Sequence, residues 1–282
     1  MTASTYHLVT LGCPKNEVDS DKLVGLLTQD GMQPTDRPED ADLIVVNTCA
    51  FIEEARQESI DTVLALDDLR QTGAKLVVTG CLAERYGDDL ATSLPEVDRV
   101  AGFGVPVTLG QRAAEQALPS FDLLNLPRPA SQRPWAYVKI AEGCDRACGF
   151  CAIPSFRGPQ RSRSIEDIVT EAEALQVHEV VLVAQDLAAF GRDQGVGERA
   201  IVPLVKAVSE VAQRVRLLYL YPSDLSDELI DTICATGVPY FDLSLQHVSP
   251  PLLRAMKRWG SGEKFTERMK VIRQREPAAV FR

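Results

Sequence analysis

The sequence predicts an α/β protein: a parallel-sheet domain followed by a partial (β/α) barrel that is truncated at its C-terminal end. Three observations predict it. Short β-rich runs alternate with amphipathic segments over residues 5–117, the pattern of βα units around a parallel sheet. A stretch with four prolines and no periodicity, LPSFDLLNLPRPASQRP at residues 118–134, then interrupts the alternation and reads as a linker. The alternation resumes over residues 135–282 with four more β-rich runs.

In the first domain residues 6–11 read as a strand, and residues 17–29 as a helix with Val18, Leu23, Leu26 and Leu27 along one stripe. Residues 43–47 (LIVVN) and 75–79 (KLVVT) are the next strands, followed by helices over 52–69 and 83–94. Such continuous apolar runs fit a sheet covered on both faces. A weaker unit spans 97–117, where Gly102 and Gly104 resemble a dinucleotide loop but Val107 takes the third glycine position. In the second domain the strands fall at 136–141, 179–184, 215–221 and 240–245, and Ser164-Ile-Glu-Asp167 has the form of a capped helix start. Residues 279–282 read as the opening of a fifth strand, too few for a closed eight-stranded barrel.

Composition narrows the function classes. Hydrophobic residues at 45% and charged residues at 25% exclude a disordered or collagenous chain. No apolar run approaches the roughly 18 residues of a membrane span, and the N-terminus lacks the layout of a secretory signal, so a cytoplasmic protein is expected. A net charge of -10 disfavours binding a phosphate backbone through bulk charge.

Seven cysteines, an odd number in a reducing compartment, point to metal or redox chemistry rather than a disulfide framework. Cys144, Cys148 and Cys151 crowd a short loop after the first strand of the second domain, where barrel enzymes carry their chemistry. Three thiolates can hold three irons of a [4Fe-4S] cluster and leave the fourth open. A structural zinc site is the alternative, and it needs a distant fourth ligand because His7, His178 and His247 all lie outside the loop. Cys13, Cys49 and Cys81 each directly follow a predicted strand, so a parallel sheet brings them to one edge. The alternative for these three is ordinary burial at strand ends. Cys234, in the apolar run LIDTIC, reads as a packing residue.

These residues carry a resemblance. Gly143-Cys144-x-x-x-Cys148-x-Phe150-Cys151 resembles the signature of the radical S-adenosylmethionine (SAM) enzymes, and the first domain resembles the N-terminal domain of methylthiotransferases. The similarity covers nearly the whole chain through TLGCPKNEVDS, NTCAFIEEARQESI, VTGCLAERY and AEGCDRACGFCAIPSFRGPQRSR. Within that family AIPSFRGPQRSR, LVAQDLAAFG, LYLYPS and LQH are more similar to the branch acting on ribosomal protein uS12 than to its tRNA-modifying relatives.

The resemblance implies a transferase that replaces a β-carbon hydrogen of one uS12 aspartate with a methylthio group. It implies two [4Fe-4S] clusters and two SAM molecules. Cys144, Cys148 and Cys151 would hold the cluster that binds and cleaves SAM, and Cys13, Cys49 and Cys81 a second cluster serving sulfur transfer. Phe150 would pack near the adenine or anchor its loop. Arg157, Arg161 and Arg163 would balance cluster or SAM charge, meet an acidic substrate, or form a solvated loop. Gln185 and Asp186 end the second barrel strand with no assigned role beyond helix capping by Asp186, and Gln246 and His247 end the fourth. The motifs name neither the sulfur donor nor the electron donor. The family also has further barrel strands and a small C-terminal β-barrel domain beyond the length of this chain. A tRNA methylthiotransferase and an inactive truncated iron-sulfur fragment therefore remain as alternative functions.

Overall fold

Every side chain of the run LIVVNT, residues 43–48, is buried, which a β-branched segment achieves only in a sheet covered on both faces. A computed structural model describes residues 4–105, 107, 122–195 and 200–282 of the protein. Its contacts divide the chain into Met1–Pro129 and Ala130–Arg282.

In the first unit β1 (Thr5–Thr10), β2 (Gln33–Pro34), β3 (Leu43–Thr48), β4 (Lys75–Gly80) and β5 (Arg99–Ala101) form a parallel sheet in the order β2-β1-β3-β4-β5. The strand order reverses between β1 and β3, the switch point at which open α/β sheets bind ligands beyond the strand C-termini. Helices α1 (Pro14–Gln29), α2 (Glu53–Leu69) and α3 (Cys81–Ser93) make the crossovers, and Leu23 and Leu27 of α1 pack with Leu43, Val45 and Val77 of the sheet. The sequence reading missed β2, a two-residue edge strand ending in Pro34 and too short to show a period. Helix α1 begins three residues before its predicted start because Pro14, which cannot continue a helix from behind, is well suited to its first turn.

Of the expected unit over 97–117, β5 and the turn after it are described, while 106 and 108–121 lie outside the described residues. The Phe103 N–H in that turn donates to the Glu84 carboxylate at 2.8 Å, so the loop closes on the protein's own anion rather than presenting a phosphate cradle. Residues 122–129, within the expected linker, lie along α1: the Lys22 ammonium donates to the Leu124 carbonyl and Arg128 pairs with Asp21 at 2.9 Å.

In the second unit β6 (Trp135–Lys139), β9 (Glu179–Val183) and β10 (Arg214–Leu217) pair in parallel, each beside the next in this series. A bridge from Leu220 to Leu243 leads on to β11 (Tyr240–Phe241), which pairs in parallel with β12 (Val280–Phe281). This sequential order is the arc of a (β/α) barrel. Helices α5 (Ile165–Leu175), α6 (Ile201–Val211), α7 (Asp227–Cys234) and α9 (Gly262–Arg275) flank it, with Ile168, Leu204, Val205 and Ile233 in one core with Val138, Leu182 and Leu217. The predicted strand 215–221 is shorter than expected, since Tyr219 adopts φ 64 and interrupts the ladder, and the predicted strand 240–245 is reduced to its first two residues. The end of the run 136–141 turns instead into a short antiparallel hairpin, β7 (Ala141–Glu142) with β8 (Arg161–Ser162), enclosing α4 (Ile153–Arg157) and the cysteine loop. Among the described residues no helix is long and apolar enough to cross a membrane.

The cap read from the sequence before α5 is present, with the Ser164 hydroxyl accepting from the Asp167 N–H at 3.0 Å. Replacing it, Ser164→Ala, should lower the stability of the second unit by about 1 kcal/mol, measured as an earlier midpoint of its denaturant transition.

Candidate metal centres

The first cysteine trio stands at the switch point. Cys13 is the N-cap of α1, Cys81 is the first residue of α3, and Cys49 is the first residue after β3. Burial raises the Cys49 thiol; the Phe51 amide opposes this, and charge on Cys81 and Cys13 raises it further, so the three sulfurs are close enough to feel one another. Gly12 makes the approach possible: it adopts φ 96, and a Cβ there would lie 3.0 Å from the Cys49 sulfur.

A buried polar side chain joins all three cysteine segments. Asn16 donates through Nδ2 to the Leu11 and Thr48 carbonyls, both at 2.9 Å, and its Oδ1 lies 3.7 Å from the Cys81 sulfur. Asn47 supports it, donating to the Asn16 carbonyl and the Ser20 hydroxyl, both at 2.9 Å. The Ser59 hydroxyl accepts from the Cys49 N–H at 3.1 Å and fixes the backbone there. Asn16 lies three residues after Cys13 in the PKNEVDS segment, the signal by which the sequence could have revealed it.

The second trio rides on the hairpin loop. Gly143 adopts φ 80, and a Cβ there would meet the Pro159 carbonyl at 2.1 Å, so the two arms of the loop close only on glycine. The loop is pinned by the Cys144 N–H to the Gly158 carbonyl at 3.1 Å and the Gly149 N–H to the Met256 carbonyl at 3.0 Å. Burial pushes the Cys144 thiol up to about 11; the Arg146 N–H at 3.4 Å opposes the rise, and charge on Asp186, Cys151 and Cys148 adds to it. Burial also raises Cys151, with charge on Cys148 adding to it and Arg258 pulling it down.

Beneath the loop lies a buried ionic group. Glu142 accepts from Lys139 at 2.8 Å, from Arg157 at 2.8 Å and from Gln185 at 2.5 Å. Burial would raise its carboxyl, but Lys139 and Arg157 hold it far below the usual carboxylate range. Arg163 is likewise internal, paired with Glu171 at 2.5 Å and donating to the Lys139 carbonyl at 3.0 Å. Two of the three expected loop cations are thus structural, and only Arg161 is exposed. Asp186 makes no cap bond; it takes the Arg146 guanidinium at 2.5 Å, and Arg146 also pairs with Asp224. His247 accepts from the Ser249 N–H at 2.9 Å, a local turn contact ahead of α8 (Pro250–Ala255). Cys234 ends α7 and packs against the barrel core. Phe150 is 48% exposed and does not anchor its loop by burial.

Among the described residues no three His, Cys, Asp or Glu side chains gather as the shell of one metal ion. Each trio brings three thiols within electrostatic reach of one another, a donor set whose chemistry fits an iron-sulfur cluster.

Residues 138–277 match the radical SAM superfamily, and residues 5–102 match uncharacterized protein family UPF0004. The chain is 40% identical over its full length to the ribosomal protein uS12 methylthiotransferase RimO of Kineococcus radiotolerans, covering 68% of that protein. It belongs to the uS12 methylthiotransferase family. The family protein of Myxococcus xanthus is 43% identical over the whole chain, and that of Clostridium tetani 38%. The chain spans 62% of the length of the Myxococcus protein. Radical SAM membership implies an iron-sulfur cluster and SAM as cofactors.

Two substitutions test the supports of this family's cysteine loops. Asn16→Ala leaves the buried Thr48 carbonyl and the part-buried Leu11 carbonyl without this donor and should cost about 2–4 kcal/mol in denaturant unfolding. Glu142→Gln removes the counter-charge of buried Lys139 and Arg157 and should cost about 3–5 kcal/mol at neutral pH. Because the folded carboxyl titrates below its unfolded value, its contribution is complete above the ordinary carboxylate range and declines on acidification. The stability gap between parent and Glu142→Gln should therefore narrow below about pH 4 in unfolding curves.

Proposed function

We propose that the chain is the cluster-bearing part of an enzyme that adds a methylthio group to the β-carbon of an aspartate of ribosomal protein uS12. In this reading Cys144, Cys148 and Cys151 hold a [4Fe-4S] cluster that binds SAM, and Cys13, Cys49 and Cys81 hold a second [4Fe-4S] cluster for sulfur transfer. The observation that carries it is the pair of cysteine trios, each gathered at the C-terminal end of its own parallel strands, in a chain whose relatives bear the uS12 methylthiotransferase name. The cluster and SAM supply radical chemistry, which a C–H bond with no acidic proton requires and no side chain offers.

The chain's own residues supply position and charge. Three thiols leave one iron of a four-iron core for SAM, while the pinned loop fixes their spacing. The exposed ring of Phe150 offers an apolar face beside them for the adenine. Arg146, locked by Asp186 and Asp224, orders the stretch between Cys144 and Cys148. None of the seven cysteines forms a disulfide, in keeping with work in the cytoplasm.

Anaerobic reconstitution should load about eight irons per chain, and about four after changing either cysteine trio to Ala. SAM cleavage should disappear when Cys144, Cys148 and Cys151 are replaced and persist when Cys13, Cys49 and Cys81 are. Mass spectrometry of uS12 and tRNA offered separately should find the methylthio group on uS12 alone. Cleavage that survives loss of the loop trio, or modified tRNA, would overturn the reading.

A further inference from the structure

Two arginines meet one aromatic ring beside the cysteine loop. The Arg146 guanidinium lies 3.8 Å from the Tyr221 ring centroid, and that of Arg258 lies 3.9 Å from it. Their surroundings differ. Arg146 is balanced by Asp186 and Asp224, whereas no carboxylate among the described residues pairs with Arg258. Arg258 donates one N–H to the Ser244 carbonyl at 2.6 Å and another to the Cys148 sulfur at 3.4 Å. The turn that carries it also binds the loop, through the Gly149 N–H and the Met256 carbonyl at 3.0 Å.

The half-buried guanidinium therefore has a ring, a carbonyl and a sulfur around it, and no carboxylate partner among the described residues. Thiolates supply the counter-charge. The loop is also polarised: the Asp186 carboxylate acts on Cys144, while Arg258 acts on Cys148 and Cys151.

We propose that Arg258 is the cationic partner of the loop cluster, donating to the Cys148 sulfur and raising the cluster's reduction potential, with Tyr221 as the platform that aims it. The proposal rests on the reading that Cys148 is a cluster ligand. Reduction takes one electron from a low-potential donor, dithionite in the test, and adds one negative charge to the cluster without moving a proton. A fixed cation hydrogen-bonded to a ligand sulfur stabilises the more negative state.

The test is a potentiometric titration of the reconstituted intact chain followed by electron paramagnetic resonance. The signal that vanishes when Cys144, Cys148 and Cys151 become Ala is assigned to the loop. Arg258→Gln should lower the reduced-to-oxidised ratio of that signal about tenfold at fixed potential, a shift of about 59 mV toward negative values. Arg258→Lys should fall between it and the parent, with iron content unchanged in both. Should Arg258→Gln lose iron, Tyr221→Leu, which keeps the guanidinium but removes its platform, is titrated instead and should shift the same way. A parental midpoint in the iron-loaded variant overturns the role of Arg258 and leaves the cluster assignment standing. A chain with no loop-dependent signal overturns both.

Discussion

Parallel register is the constraint from which the first site follows. Leu8, Val45 and Val77 lie in one row across β1, β3 and β4, and Thr10, Asn47 and Thr79 lie in another nearer the strand ends. Strands aligned in that way must deliver the next few residues to one edge. Cys13, Cys49 and Cys81 are those residues, so three thiols more than thirty positions apart converge without any local motif joining them. The same geometry acts in the second unit, where β6 leads through a short hairpin into a loop carrying three thiols.

Convergence alone leaves polar backbone and like charges crowded together, and each unit answers this differently. The first unit uses neutral amides and hydroxyls. Asn16 satisfies carbonyls from two strand ends, and Ser59 and Asn47 complete the buried network. Neutral donors suit a place where a carbonyl left dry would be costly and a buried ion costlier still. The second unit uses charge, with Glu142 between Lys139 and Arg157 under the loop. Such a group offers little net stability over a well-packed apolar one, but it fixes geometry because any loosened member is a buried unpaired ion.

Much of the fold was legible because its signals are local. Continuous apolar runs marked β3, β4 and β9, and the Ser164 cap marked α5. The six cysteines of the two trios were legible for the same reason, each standing soon after a strand or in the loop that follows one. Phe150 was visible as a position, while its exposure was not. The arginines of FRGPQRSR show the limit: their charge is written in the sequence, but the carboxylates that neutralise Arg157 and Arg163 are contributed by β7 and α5.

The sequence by itself determined where the longer strands lie and where along the chain the thiols fall, since hydrophobic period and residue spacing are properties of neighbours in the chain. Only the tertiary structure decided which charges are neutralised internally and which remain to act on the sulfurs. Arg258 reaches Cys148 across 110 positions, and Arg146 finds Asp224 across 78. Coulomb and hydrogen-bond energies depend on distances of a few ångströms, and those distances exist only once remote segments have packed.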